Sequence, residues 1–204
     1  MIRSSIGHQL PLVIGLSGGI GSGKSTVAKI FENIGIPVFY SDNRAKELYF
    51  VDELKQKVVD LLGEDAYLFS GEINRKFISD AIFADAEKLK KLNAILHPFV
   101  KKDFDQWLSQ QKQSPYVIKE SALLFETGLY TDCFKNIVIN CPEELRISRV
   151  MRRDRVSRQE VLNRMKFQFP EEKKLELGGI EFLNNEKVSL LDQVLKFHEA
   201  LLNS

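Results

Sequence analysis

Residues 18–25 read Gly-Gly-Ile-Gly-Ser-Gly-Lys-Ser, and no other stretch of the 204-residue chain restricts its fold so strongly. The octapeptide fits G-x-x-x-x-G-K-[ST]. It follows Leu12-Val13-Ile14-Gly15-Leu16, a short run rich in branched residues, as expected of a strand buried on both faces of a parallel sheet. Behind it, Val27, Ile30, Phe31 and Ile34 fall at i, i+3, i+4 and i+7, one face of a helix, with Gly35 where a helix end favours a left-handed residue. Strand, glycine loop, helix is the context in which the pattern becomes a phosphate site. Glycines let successive N–H groups and the positive helix N-terminus converge on phosphate oxygens. Lys24 supplies a mobile cation for the β and γ phosphates, and Ser25 a hydroxyl for a bridging magnesium ion.

Further strands are expected at Ile36 to Tyr40, Tyr116 to Glu120, Ile137 to Cys141 and, more weakly, Ile180 to Leu183. Pro37 pushes the second of these toward a strand start or a sheet edge. Strands alternating with helical patterns imply an α/β fold with a mostly parallel sheet. From Val51 to Gln113 only helical patterns occur, carried by Leu54, Val58, Leu61 and Leu62, by Phe77, Ile78, Ala81 and Ile82, and by Phe99 to Leu108 with Pro98 opening a helix. This reads as a helical insertion. Seven of the ten arginines crowd between Arg146 and Arg164, and Ser157-Arg158-Gln159-Glu160 has the spacing of a capping box. A closing helix runs through Leu190, Leu191, Val194, Leu195 and His198.

Asp42 directly follows the second strand, where ligands of open parallel sheets bind. It can cap the next helix or accept a hydroxyl proton during phosphoryl transfer. Glu120 ends the third strand and Glu126 follows Leu123-Leu124-Phe125; either can hold a metal-bound water, or be a solvated acid. Arg149 and Arg153, four apart, share a helical face and can clamp a transferring phosphoryl group, while Arg152, Arg155 and Arg158 face solvent. His97, before Pro98, reads as a hydrogen-bonded structural residue. Cys133 and Cys141 fit neither a disulfide framework nor a zinc pattern and read as structural thiols.

A formal charge of +1 argues against nucleic acid or anionic lipid as partner. No apolar run approaches the roughly 20 residues of a membrane span. Met1 to Gln9 lacks the apolar segment and cleavage site of a secretory signal, so the expected location is cytoplasmic. A phosphate loop is compatible with a GTPase switch, a motor or transporter ATPase, or a small-molecule kinase. There is no N-K-x-D guanine-reading sequence and no well-placed Asp-x-x-Gly switch. A compact core with one helical insertion and one arginine-rich segment suits a kinase that shields ATP from water; a nucleoside or nucleotide kinase and a nucleotide-gated binding protein are the alternatives.

The chain resembles the dephospho-coenzyme A kinases over nearly its whole length. The resemblance is carried by Gly18-Gly19-Ile20-Gly21-Ser22-Gly23-Lys24-Ser25-Thr26-Val27-Ala28, by Asp42 with Ala45-Lys46, by Leu96-His97-Pro98, by Leu123-Leu124-Phe125-Glu126, and by Arg149, Arg153, Ser157, Arg164 and Gln168. It implies transfer of the γ phosphate of Mg-ATP to the ribose 3′-hydroxyl of dephospho-coenzyme A, by a monomer or small homo-oligomer. It implies a P-loop, nucleoside-monophosphate-kinase-like three-layer α/β fold with a five-stranded parallel sheet. The nucleotide-binding core would comprise 10–50, 114–145 and 178–204, the coenzyme A-binding insertion 51–113, and the arginine-rich lid 146–177. By resemblance Asp42 becomes the base, Arg149 and Arg153 catalytic lid arginines, and Asn184 an adenine contact of ATP; from the phosphate-loop and strand-end chemistry above, Lys24 is a further catalytic group, Gly18 to Thr26 contact ATP, and Ser25 and Glu120 support the magnesium ion. Tyr40-Ser41-Asp42 stands where the family has Asp-Ala-Asp, Ala122 where it has Pro, and Gly178-Gly179-Ile180-Glu181-Phe182-Leu183-Asn184 where it has Ala-Asp-x-x-Ile-x-Asn.

Overall fold

The computed structural model describes residues 10–83 and 85–203; Met1 to Gln9, read above for a secretory signal, lies outside the described residues. Five strands, β1 (Leu12–Gly18), β2 (Val38–Tyr40), β3 (Tyr116–Glu120), β4 (Lys135–Asn140) and β5 (Gly179–Leu183), form one sheet in the order β2-β3-β1-β4-β5. Every pairing is parallel. The chain order reverses on either side of β1, so the crevice at the carboxyl end of that strand is the natural ligand site of the sheet. β2 is an edge strand that begins just after Pro37. The ring nitrogen of Pro37 cannot donate, but its carbonyl accepts from Ile118 N at 2.9 Å, so it joins the ladder from one side only.

Alternation along β4 divides the layers. Ile137 and Ile139 join a core with Ile14, Leu16 and Ile118 of the sheet, with Val27 and Phe31 of α1 (Lys24–Asn33), and with Val194 and Leu201 of the closing helix Leu190–Leu202. Val138, between them, packs instead with Leu124, Phe125, Phe169 and Leu175. Helices therefore cover both sheet faces, which is why β1, β3 and β4 are mostly apolar, with Ser17, Lys119 and Asn136 as buried polar residues within them. Phe31 meets Tyr116 and Phe197 edge-on, both with centroids 6.3 Å apart, an arrangement favoured by the ring quadrupoles.

The described chain divides into two compact units: the sheet-bearing unit ends at Tyr40 and resumes at Leu108, and Ser41–Trp107 forms the other. The helical unit thus begins at Ser41, before the Val51 start read from the sequence. It contains α2 (Ser41–Leu48), α3 (Asp52–Leu62), α4 (Arg75–Phe83) and most of α5 (Ala86–Ser109). Leu54, Val58, Ala66, Ile78, Leu92 and Leu96 make its core, and Arg44 Nε donates to Asp103 Oδ2 at 2.8 Å.

One sequence expectation fails here. Pro98 does not open a helix; it lies inside the 24-residue α5. An interior proline removes one i→i−4 bond and crowds the preceding turn. Against that, Leu92, Leu96, Val100 and Phe104 recur every four residues on one stripe, with Leu92, Leu96 and Phe104 buried. Burying such side chains is worth roughly 1.5–3 kcal/mol each, enough to carry the helix through the proline.

The arginine-rich segment forms α6 (Glu143–Asp154), α7 (Arg158–Met165) and α8 (Glu171–Glu176). The α7 start has the expected capping box, Ser157 accepting from Glu160 N while Glu160 Oε2 accepts from Ser157 N at 2.9 Å. The last helix, α9 (Leu190–Leu202), is capped by Ser189.

Candidate active site

The phosphate loop leaves β1 at Gly18 and enters α1 at Lys24. Ser22 N closes a turn on Gly19 O at 3.1 Å, and Gly23, with φ +101°, starts the helix without a side-chain cap. The first N–H groups of a helix have no preceding turn to bind, and α1 carries no acid in its first turn. Its N-terminus is therefore open to an anion. Gly21 has φ +77°, and a Cβ there would lie 2.5 Å from Arg146 O and 2.8 Å from Val150 Cγ2, so α6 seats the loop from behind. Ile20 packs with Ile147, Val150 and Val161 on the same side.

Lys24 folds over the loop: its Nζ donates to Gly18 O at 2.9 Å and to Gly19 O at 3.4 Å. Ser25 and Thr26, the next two residues of α1, are exposed. Asn184, buried at the end of β5, donates through Nδ2 to Ser22 O at 2.7 Å, and its backbone N–H donates to Asn140 O at 2.8 Å. Expected as an adenine contact, Asn184 is seen fixing the phosphate loop from the β5 side.

Glu120 is the last residue of β3, level with Leu16 of β1 and Tyr40 of β2, and is buried. It adds to the burial and the Glu32 hydrogen bond that push the Tyr40 phenol up to about 12. Glu126 is committed elsewhere: Oε1 accepts from Phe169 N at 2.6 Å and lies 3.1 Å from Lys174 Nζ. Of the two glutamates, Glu126 is thus tied to Phe169 and to Lys174 of α8. Asp42 is exposed in the first turn of α2, two residues beyond β2.

The two singled-out arginines of α6 have separate surroundings. Arg149 donates from Nη1 to Cys141 Sγ at 3.3 Å and from Nη2 to Glu186 Oε1 at 3.0 Å, beyond β5. Arg153 is exposed and paired with Asp154 at 2.7 Å, and Arg164 reaches the same carboxylate at 2.9 Å. The two guanidinium groups hold the Asp154 carboxyl below the usual range, Arg153 by the larger share. Arg158 forks onto Glu144 at 2.7 and 2.6 Å. Arg146 is buried, not on the outer face, and its Nη1 lies 3.0 Å from Glu171 Oε1. Three residues absent from the expected site touch the loop or its support: Glu171 Oε1 accepts from Gly19 N at 3.2 Å and Gln168 Oε1 from Ile20 N at 2.7 Å, with Arg146 behind them. Gln168 had a signal, its place among the residues that carry the family resemblance; Glu171 and Arg146 are joined to the loop only by the fold.

Both cysteines are free thiols. Burial pushes Cys133 up to about 11, against a lowering by Lys119, and pushes Cys141 up against Arg149 and Arg146. Neither is an activated nucleophile.

A family model for dephospho-CoA kinase matches residues 12–189. The chain belongs to the dephospho-CoA kinase family. A dephospho-CoA kinase of Porphyromonas gingivalis is 38% identical over 192 residues, which cover 93% of this chain and 94% of that protein. A crystal structure of a Thermus thermophilus protein superposes with a TM-score of 0.85 at 34% identity, covering 94% of this chain and 98% of that one. The dephospho-CoA kinase of Campylobacter jejuni superposes with a TM-score of 0.66 at 25% identity, covering 93% and 96%. The five-stranded parallel sheet with its phosphate loop after β1 is accordingly the P-loop kinase fold expected from the sequence.

Proposed function

We infer that the protein transfers the γ-phosphoryl group of ATP to the ribose 3′-hydroxyl of dephospho-coenzyme A, releasing ADP and coenzyme A. The observation that carries this is the family match over residues 12–189, a span that includes the phosphate loop, the helical unit and the arginine-rich segment together. The anion-ready N-terminus of α1 and the Lys24 ammonium 2.9 Å from Gly18 O give that match its chemistry.

In this reading the loop N–H groups hold the polyphosphate, and Lys24 leaves its carbonyls to follow the β and γ oxygens. Asp42 accepts the proton of the 3′-hydroxyl as the ribose oxygen attacks the γ phosphorus and the bond to the bridging oxygen of ADP breaks. Its position directly after β2 supports that role. Arg149 and Arg153 meet the charge that moves between donor and acceptor. Asn184 holds the loop on the nucleotide side.

Magnesium fits the residues present. Among the described residues no cluster of three or more His, Cys, Asp or Glu forms a protein cage, whereas a magnesium ion on ATP takes most of its oxygens from phosphate and water. Ser25 would offer its hydroxyl, and Glu120 would hold a metal-bound water. Bound there, such an ion would neutralise negative charge on the phosphate oxygens.

The helical unit contains a pocket of about 200 Å³ lined by Tyr49, Ile73, Ile78 and Ile82 with Lys46 and Arg75. An apolar wall beside two cations suits a pantetheine arm and its diphosphate. No helix among the described residues is long and apolar enough to cross a membrane. The reading is of an enzyme acting on small molecules in the cytoplasm, as a monomer or small homo-oligomer.

The test is ADP release coupled to a reporter, with ATP and dephospho-coenzyme A, controlled with adenosine and AMP. Turnover only with dephospho-coenzyme A supports the reading, and equal turnover with AMP overturns it. Asp42→Asn keeps size and a capping oxygen but cannot take the proton; the expected loss of turnover is roughly 10²- to 10⁴-fold with ATP affinity retained. Unchanged turnover removes Asp42 as the base.

A further inference from the structure

Lys24 is held by two consecutive peptide groups, and each of those groups is held from its other side by a side chain of the lid's return segment. The Gly18–Gly19 peptide offers its carbonyl to Lys24 Nζ at 2.9 Å and its N–H to Glu171 Oε1 at 3.2 Å. The Gly19–Ile20 peptide offers its carbonyl to Lys24 Nζ at 3.4 Å and to Ser22 N at 3.1 Å, and its N–H to Gln168 Oε1 at 2.7 Å. A trans peptide is planar, so fixing the N–H direction fixes the carbonyl direction. Both side chains are themselves fixed. Gln168 Nε2 donates to Ala122 O at 3.0 Å, which sets its amide so that oxygen faces the loop. Glu171 pairs with Arg146 at 3.0 Å, both side chains more than nine-tenths buried. There is no room for a side chain at Gly19, where a Cβ would collide with Arg146 Nη1.

We propose that Glu171 and Gln168 are positioning residues for the phosphate-binding lysine, acting through the Gly18–Gly19 and Gly19–Ile20 peptide groups rather than by touching nucleotide. An acceptor on each N–H holds its peptide plane in one orientation, so the loop keeps the curl that ATP needs and Lys24 starts from one place, and less order has to be gained on binding. The carboxylate of Glu171, backed by Arg146, is the stronger of the two acceptors. The lid's return segment thereby sets where Lys24 waits before ATP arrives and how the loop curls when Lys24 departs. The sequence separation of 148 to 152 residues makes this a product of the fold alone.

The inference rests on the reading of Gly18 to Ser25 as a nucleotide phosphate loop, so its test reads nucleotide binding and leaves the acceptor out. A double-mutant cycle measures ATP dissociation constants for the wild type, Gln168→Leu, Lys24→Ala and the double variant by fluorescent-nucleotide titration, with folding checked by circular dichroism. Gln168→Leu is expected to weaken ATP about ten-fold, the worth of one part-buried hydrogen bond, and to weaken it less than about two-fold when Lys24 is already alanine. A residue that merely props the structure would cost the same in both backgrounds, and that additive result overturns the proposal. Because Glu171→Leu alone leaves Arg146 buried without a partner, the second arm compares Arg146→Met/Glu171→Leu with Arg146→Met/Glu171→Gln. Glutamine restores an acceptor for Gly19 N–H and is expected to recover most of the lost affinity. Equal affinities in the two variants overturn the role of Glu171. A wild-type protein that bound no ATP would instead strike down the phosphate-loop reading itself.

Discussion

Replacing Glu126 by Gln removes one charge from an ion pair that the fold has taken almost wholly out of water. The Lys174 side chain is 0% exposed and that of Glu126 10%, with 3.1 Å between Nζ and Oε1. Breaking such a pair from one side costs roughly 3–5 kcal/mol, because the remaining charge stays buried. Glutamine still offers an oxygen to Phe169 N, which Glu126 now satisfies at 2.6 Å, so the lower end applies, about 3 kcal/mol. For a chain of this size each kcal/mol moves Tm by roughly 2–4 °C, giving a fall of about 6–12 °C. Circular-dichroism melts and urea titrations measure it. Glu126→Gln/Lys174→Met removes both charges while keeping the volume, and is expected to recover to within about 1 kcal/mol of wild type. A single variant within about 1 kcal/mol of wild type, or a double variant as unstable as the single, would refute the claim that this pair secures α8.

Lys24→Ala is expected to fold normally and lose roughly 10²- to 10⁴-fold in turnover; steady-state kinetics on a folded preparation checks this. Arg149→Ala and Arg153→Ala should lower kcat more than they raise the ATP dissociation constant, with lysine a poor substitute for the planar fork; comparing single-turnover rates with equilibrium titrations separates the two. Native stability should decline in alkali. The Cys133 thiol is pushed up to about 11 and Tyr49 up to about 12, both chiefly by burial, as Tyr40 also is. Unfolded thiols titrate near about 8.5, so stabilisation from Cys133 is full below that pH and is lost as pH rises toward its folded value. Urea midpoints at about pH 8 and pH 10.5 should differ for wild type and differ less for Cys133→Ala.

The sheet was legible because double-sided burial leaves an unmistakable mark: Tyr116 to Glu120 forms β3 over the range its apolar run predicts, and Pro37 places β2 at an edge. Short-range chemistry was equally legible, as the Ser157–Glu160 capping box shows. What escaped has a common cause, contacts between residues far apart in the chain. Pro98 reads locally as a helix start, but the Leu92–Leu96–Val100–Phe104 stripe overrides it through tertiary packing. In the sequence Arg146 reads only as the first of the arginine-rich run, with no role of its own; its neighbours at i+1 and i+4, Ile147 and Val150, are core residues, and that face takes it inward to Glu171. Asn184 was assigned by its place in a motif, and its bond from Nδ2 to Ser22 O, across 162 residues, could not be read there. The phosphate loop itself needed no such help, since its glycines and its lysine are contiguous.

The central claim is that a phosphoryl group leaves ATP and arrives on the 3′-oxygen of dephospho-coenzyme A. Mass spectrometry and ³¹P NMR of the product from ATP, magnesium and dephospho-coenzyme A test it directly. The account predicts one added phosphoryl group, resonating as a monoester on the ribose 3′-carbon, in equal amount to the ADP formed. ADP appearing with unmodified dephospho-coenzyme A, or a phosphoryl group found elsewhere on the acceptor, would contradict it.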